Sequence, residues 1–251
     1  MSPGQGLLVV GAGFLGGGVN ALAGGGTLLT YPALLAAGLP PVLANTTSSV
    51  GLLTGYAGGS LAYRRELAGQ RRRAVRLIAA GVAGGIVGAV LLLVLDPDAF
   101  RSVVPYLVLL ACLLLAVQPR VASWLRERGR AEEHPLWITQ LLIGTGAVYG
   151  TFFGAGLGVV MLAVLGLLVA DDLQRLNALK GVLSLVINAV GALVFVVTGH
   201  VDWLAAALVA AGAFGGATLG VALARRLPQE AVRAGVVVAG VTVAVVLLLR
   251  G

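Results

Sequence analysis

Two glycine-rich breaks lie inside apolar runs, where a membrane helix would otherwise continue. Glycine costs about 1 kcal/mol relative to alanine inside a helix, so a cluster of glycines favours an interruption. Bare backbone N–H groups and the partial positive charge of the next helix N-terminus make such a break suited to an anion. The alternative is that the glycines only permit tight packing. The candidate residues are Asn20, Gly24, Gly25, Gly26 and Thr27 in the first break, and Gly154, Gly156 and Gly158 in the second.

The segment that follows each break carries polar side chains. Spacings of four residues place Lys180, Ser184 and Asn188 on one helix face. Such a face is costly inside an apolar helix unless it lines water or a ligand. Two interpretations of Lys180 stay open: a cationic anchor for an anionic substrate, or a side chain that snorkels to the membrane surface. The candidate residues are Asn45, Thr46 and Ser49 in the first segment, and Asn177, Lys180, Ser184 and Asn188 in the second.

The acidic residues and both histidines fall in loops or at the ends of apolar segments. No carboxylate is therefore expected at mid-membrane to bind a cation or relay protons. The sequence contains no Gly-x-x-x-x-Gly-Lys-Ser/Thr phosphate loop and no histidine and carboxylate cluster that suggests a metal site. We expect no catalytic residue, no metal and no cofactor, so the chain is predicted not to be an enzyme. A small anion fits a polar site with a net positive bias.

Composition predicts an all-α integral membrane protein whose main partner is the lipid bilayer. Hydrophobic residues make up 59% of the 251 residues and charged residues only 11%, whereas soluble domains carry roughly 25% charged residues. The net charge of +7 comes from arginines in short loops between apolar runs. That placement is typical of cytoplasmic retention signals and does not indicate nucleic acid binding.

The chain is a tandem repeat in which matching residues lie 132 positions apart. The pairs include Gly24 with Gly156, Asn45 with Asn177, and Gly59 with Gly191. Residues 1–118 are predicted to form the first membrane repeat, 119–134 a basic linker, and 135–251 the second repeat. Each half is expected to contain a glycine-broken helical hairpin followed by three spanning helices. Six spans with two hairpins, or ten short spans, both fit the pattern.

Charge placement predicts a multi-pass protein of the cell (inner) membrane with its basic loops 64–76, 119–134 and 225–233 in the cytoplasm. The loop after the third segment is then inside in the first half and outside in the second. The two halves therefore have opposite orientations, which defines an inverted-topology repeat. Glycines spaced by four, as in Gly84 and Gly88 or Gly212 and Gly216, favour close helix packing. Packing within the chain and a homodimer through these helices are both open.

The glycine and asparagine motifs resemble the sulfite exporter TauE/SafE family over nearly the whole chain. The similar stretches are the run 24–26, the helix start 44–48, the motif 177–180 with Asn188, the turn 199–203 and the closing helix 212–226. The resemblance implies a permease, often for sulfite, sulfonates or other organosulfur anions. The second break departs from the pattern, because it reads Gly-Ala-Gly-Leu-Gly where the first has three consecutive glycines.

We therefore predict a secondary transporter for a small anion such as sulfite or a sulfonate. Alternating access would expose a site between the two glycine breaks at the midplane. An anion channel is one alternative. A membrane enzyme or scaffold acting at the cytoplasmic lipid surface is another, and His134 with Glu132 and Glu133 is its candidate cluster.

Overall fold

Each glycine cluster ends one helix and precedes another. The structure is a computed structural model that describes residues 1–62, 66–128, 134–220 and 229–250. The described residues form helices and turns, and no strand. The helix Trp203–Gly215 continues into one π-helical turn at Gly216–Gly220. The helices in chain order are α1 (Pro3–Ala23), α2 (Thr27–Ala36), α3 (Pro41–Ala62), α4 (Arg71–Val94), α5 (Pro97–Arg128), α6 (Leu136–Phe152), α7 (Leu157–Leu168), α8 (Leu173–Val197), α9 (Trp203–Gly215) and α10 (Gln229–Arg250).

The breaks depend on glycines in the left-handed region. α1 ends because Gly24 has φ 76°, and its N–H bonds to the Asn20 carbonyl at 3.0 Å. Gly154 and Gly156 have φ values of 82° and 81° and separate α6 from α7. The short helices α2 and α7 have 10 and 12 residues, so they are roughly 15 and 18 Å long, about half of a bilayer core. The predicted interruption at both glycine clusters is confirmed.

The first broken pair forms a hairpin whose two ends lie together. The Gln5 side-chain amide near the start of α1 donates to the Ala37 carbonyl just after α2, at 3.2 Å. Gly38, with φ 95°, then turns the chain toward Pro41, the first residue of α3. Proline suits this position because the first helical N–H needs no intrahelical partner.

The composition and length of the helices fit a multi-pass membrane protein. In the described part of the chain, three helices of 18 residues or more are apolar enough to cross a membrane: Arg71–Val94, Pro97–Glu127 and Leu173–Val197. Large apolar side chains such as Val94, Leu113 and Leu193 are exposed on their outer surfaces. In a lipid environment these surfaces face acyl chains and carry no penalty.

One predicted boundary differs from the structure. The linker was expected to begin at Pro119, but α5 continues through Pro119 to Arg128. Leu125 is buried and its side chain packs closely against Gly166 of α7, so this apolar contact holds the helical extension in place. Residues 64, 65, 129–133 and 225–228 of the predicted basic loops, which include Glu132 and Glu133, lie outside the described residues.

Helix packing is reciprocal between the two halves. α1 packs on α9 of the second half, and its counterpart α6 packs on α4 of the first. α3 and α8 pack on each other, and so do α5 and α10. Glycines make the α1–α9 and α4–α6 contacts possible: Gly17 touches the backbone of Ala213, and Gly84 touches the backbone of Gly144. These glycines serve contacts within the chain, and the homodimer stays a prediction.

A polar cluster joins the α3–α4 loop to the α7–α8 loop. Asp171 forms ion pairs with Arg73 at 2.7 Å and Arg175 at 2.8 Å. The Gln70 side chain donates to the Arg175 carbonyl at 3.2 Å. Burial opposes ionisation of Asp171, but hydrogen bonds from Arg175, the Asp172 N–H and Arg73 outweigh it and lower the pKa of the carboxyl. The two loops therefore lie on one face of the molecule.

Candidate functional site

A cavity of about 30 Å³ lies where α1, α3 and α8 meet the glycine breaks. Because roughly 10–15 Å³ of such space holds one water, the cavity suits a few atoms of a small polar solute. Both halves of the chain contribute to it. The lining residues are Asn20, Gly24, Gly55, Tyr56, Ser60, Gly158, Asn177, Lys180, Gly181 and Ser184.

The two glycine breaks touch at the cavity. The Gly156 N–H donates to the Gly24 carbonyl at 3.1 Å. A Cβ added to Gly24 would lie 2.7 Å from the Gly158 Cα, so only glycine permits this approach. Since Gly158 is the second residue of α7, the positive end of that helix dipole lies at the cavity wall.

Lys180 supplies the charge of the site. Its ammonium nitrogen donates to the Asn177 side-chain oxygen at 3.1 Å, and both residues line the cavity. The Asn177 side-chain nitrogen in turn donates to the Leu173 carbonyl at 2.9 Å, which holds the amide in this orientation. Lys180 lies seven residues into α8, roughly 10 Å from its start. Its head group is directed to a polar partner in the cavity wall.

Several polar atoms of the lining lack a hydrogen-bond partner in the described part of the chain. They include both side-chain heteroatoms of Asn20 and the hydroxyls of Ser60 and Ser184. These three residues are more than 90% buried. Leaving a buried polar group unsatisfied costs about 1–3 kcal/mol, so their convergence on one cavity points to a polar occupant.

Tyr56 adds a hydroxyl from α3. It lies beside the side-chain amides of Asn20 and Asn188 without forming a hydrogen bond of good geometry. The Asn188 nitrogen instead donates to the Ser184 carbonyl at 2.8 Å. Asn188, a predicted site residue, therefore lies next to a lining residue and contacts the site through it.

The predicted site residues of α3 lie elsewhere. Each has a polar group bonded within the protein, although the Asn45 side-chain oxygen is buried without a partner among the described residues. The Asn45 amide donates to the Phe152 carbonyl at 2.8 Å and so satisfies the end of α6. The Thr46 and Ser49 hydroxyls bond to carbonyls of their own helix. α3 spans roughly 22 Å from Asn45 to Ser60. The cavity is near the Ser60 end, which leaves the Asn45 end outside it.

The remaining predicted residues support the breaks without lining the cavity. Gly26 precedes α2 and packs against the Gly16 carbonyl, and the Thr27 side chain is buried near Gly154. Gly25 packs against Leu115 of α5. The Gly156 N–H donates to Gly24, while the Gly154 carbonyl accepts from the Leu157 N–H. The N–H groups of Gly24 and Gly154 also donate within the protein, to the Asn20 and Tyr149 carbonyls, so three of the predicted backbone donors are used internally.

Sequence reasoning missed Gly55, Tyr56, Ser60 and Gly181. Spacing could have identified Tyr56 and Ser60. Tyr56 lies seven residues after Ser49 and Ser60 four residues after Tyr56, so all three share one helix face. Gly181 lies opposite Ser60, whose Oγ is 3.5 Å from an added Cβ. Small residues at 55 and 181 leave room for the cavity between α3 and α8.

Comparison with known proteins identifies the family. The family model described as "Sulfite exporter TauE/SafE" matches residues 9–247. The chain is 28% identical to the probable membrane transporter protein YfcA of Escherichia coli K12, over 93% of this chain and 86% of the relative. It is 27% identical to a probable membrane transporter protein of Haemophilus influenzae, over 90% and 88%. No solved structure matches it significantly. The chain belongs to the sulfite exporter TauE/SafE family of membrane transporters.

Proposed function

We propose that this membrane transporter carries a small oxyanion, such as sulfite or a sulfonate, through the cavity beside Lys180. The observation that supports this most is the convergence of one ammonium group with unpartnered Asn20, Ser60 and Ser184 on one small cavity. An intramembrane ionisable residue is costly and marks a substrate pathway by default. The name of the family gives the sulfur oxyanion as the first class to test.

The proposed roles follow from position. Lys180 supplies the counter-charge, and Asn177 holds its ammonium nitrogen in place until the anion competes for it. Ser184 and Asn20 donate neutral hydrogen bonds to the anion oxygens. Gly158 brings the positive end of the α7 dipole to the cavity wall.

The inverted repeat is part of the proposal, and reciprocal packing supports it. The first helix of each half packs on the fourth helix of the other half: α1 packs on α9, and α6 packs on α4. The third helices pair with each other, and so do the fifth. A twofold relation between the halves would produce this exchange, and transporters with inverted repeats are built on such a relation.

Contacts between loops support the proposed topology. The α3–α4 loop contacts the α7–α8 loop through Arg73 and Asp171, and Gln140 of α6 bonds to the Arg76 carbonyl. Arg73 and Arg76 belong to the basic loop 64–76, and Gln140 follows the basic linker 119–134 by six residues; both loops are assigned to the cytoplasm. On the other face, Asp202 lies after the third long segment of the second half, in the turn assigned to the outside, and its N–H bonds to the Thr47 hydroxyl near the start of α3 at 3.1 Å.

Alternating access is supported by an asymmetry between the two faces. The cavity lies near the Ser60 end of α3, toward the proposed cytoplasmic side. At the other end of α3, Thr47 and Ser48 are fully buried and hydrogen-bonded, to Asp202 and Thr30. We infer that this conformation is closed to the outside, and that rocking of one repeat against the other exposes the site there.

A channel remains the closest alternative, and slow saturable flux distinguishes a transporter from it. Thermal unfolding tests the site itself, using purified protein with sulfite, thiosulfate, short sulfonates, sulfate and chloride. A ligand at a hundredfold excess over its Kd adds about 2.7 kcal/mol of stability. We expect a sulfur oxyanion to raise the Tm of the wild type and not of Lys180→Ala. Equal shifts in both proteins contradict the site, and no shift with any anion contradicts the substrate class.

A further inference from the structure

The described lining of the cavity contains one basic side chain and no acidic one. Lys180 is the only cation among the described lining residues, and none of them carries a carboxylate. Building on the proposed function, we propose that the site selects singly charged oxyanions over doubly charged and neutral molecules of the same shape. A sulfonate monoanion is the representative ligand.

The positive side chains of Arg73 and Arg175 belong to the polar cluster around Asp171. Arg73 and Arg175 form ion pairs with Asp171, at the loops beyond the cavity. They are absent from the lining. A second negative charge on the ligand would therefore have no positive side chain of the described lining to face.

The neutral groups of the lining match the oxygens of a small oxyanion. Asn20 offers an amide nitrogen, and Ser60 and Ser184 offer hydroxyls, all of them buried and unpartnered. Three neutral donors and one ammonium group can serve the three oxygens of a sulfonate, because each oxygen accepts more than one hydrogen bond. Such donors stabilise the oxygens without cancelling a second full charge.

Charge balance in a membrane sets the order of affinities. Buried charge is expensive unless it is paired, so a monoanion beside Lys180 gives a neutral complex. A dianion leaves one uncompensated negative charge in the same space. A neutral ligand leaves the ammonium charge as it was in the empty site, and gains only neutral hydrogen bonds.

The test is a charge series on one tetrahedral sulfur centre. Dimethyl sulfone, methanesulfonate and sulfate have similar size and carry charges of zero, minus one and minus two. Isothermal titration of the purified full chain with each compound measures the affinities at one pH. We expect methanesulfonate to bind at least about tenfold more tightly than either of the others, the difference that one hydrogen bond to a charged group supplies.

Substitutions of lining residues test whether this cavity sets the charge selectivity. Lys180→Met removes the charge and should abolish the preference for methanesulfonate over the sulfone. Ser184→Ala should weaken methanesulfonate binding several-fold, because it deletes an unpartnered hydroxyl. Ser102→Ala is the matched control, since the exposed Ser102 hydroxyl bonds to the Ala99 carbonyl of its own helix and should change nothing.

The outcomes separate this inference from the proposed function. If sulfate binds as tightly as methanesulfonate and both depend on Lys180, the anion site stands and charge selectivity is wrong. If methanesulfonate binds equally well to wild type and Lys180→Met, the selectivity is not set by this cavity. If no member of the series and no sulfite binds, the proposed function and this inference both fail.

Discussion

The carbonyl oxygen of Gly24 accepts a hydrogen bond from the N–H of Gly156 at 3.1 Å, which joins the two glycine breaks backbone to backbone. These residues are repeat partners, 132 positions apart in the chain. Gly158 lies close to Gly24 as well. The breaks thus act as one unit, and the cavity with Lys180 lies beside it.

Gly24→Ala should destabilise the protein by about 2 kcal/mol or more. A non-glycine residue at φ 76° costs about 1–3 kcal/mol, and the new methyl group would lie 2.7 Å from the Gly158 Cα. Thermal unfolding in detergent measures the change. Gly11→Ala is the control, because Gly11 is helical and an added Cβ meets nothing within 4 Å. Equal Tm values for the two variants would contradict the contact.

Asn45→Ala and Asn177→Ala should differ, although the two residues are repeat partners. Asn45 satisfies the Phe152 carbonyl across helices, so its removal should cost about 1–3 kcal/mol. Asn177 bonds within α8 and holds Lys180, so its removal should weaken anion binding with a smaller loss of stability. Unfolding and ligand titration of both variants measure this. Equal stability losses would show that the Phe152 contact contributes little.

Asp171→Asn should lower stability by about 1 kcal/mol at neutral pH, because its arginine partners are about one-third exposed and screened. The folded-state pKa is lowered, so the carboxylate stabilises the fold above its unfolded pKa of about 3.9. This contribution is lost as pH falls through the folded pKa. The Tm difference between wild type and variant should therefore shrink in acid. A difference independent of pH would contradict the ion-pair cluster.

Single cysteines introduced at Gly69 and Gly199 should react with impermeant thiol reagents from opposite sides of the membrane. Cys112 is buried and should first be replaced by alanine. Gly69 lies in the loop with the Asp171 cluster, and Gly199 in the turn beside Asp202. Labelling of intact cells and inverted vesicles should show Gly69→Cys inside and Gly199→Cys outside. Labelling of both from one side would contradict the proposed inversion.

Much of the helix layout could be predicted from the sequence. Glycine clusters have strong local effects on the backbone, so both breaks were predicted correctly. The end of α5 was not, because the contact of Leu125 with Gly166 outweighs the effect of Pro119, and such a contact is not local.

The lining of the cavity was predicted only in part, because residue spacing identifies a polar helix face but not the hydrogen bonds that its side chains form. The face of Lys180 and Ser184 was identified by spacing, and both residues line the cavity. Asn45 and Ser49 have the same spacing of four residues, yet the Ser49 hydroxyl bonds to its own helix, as the Thr46 hydroxyl does. Sequence does not distinguish a hydroxyl used in this way from a free one.

The most direct measurement is uptake of labelled sulfite or a short sulfonate into proteoliposomes by wild type and Lys180→Met. Arg126→Met is the matched control, since it removes a positive charge from an exposed position of α5. We predict saturable uptake in wild type and Arg126→Met, and a loss of at least about tenfold in Lys180→Met. Uptake by Lys180→Met at the wild-type rate would contradict a transport site at Lys180.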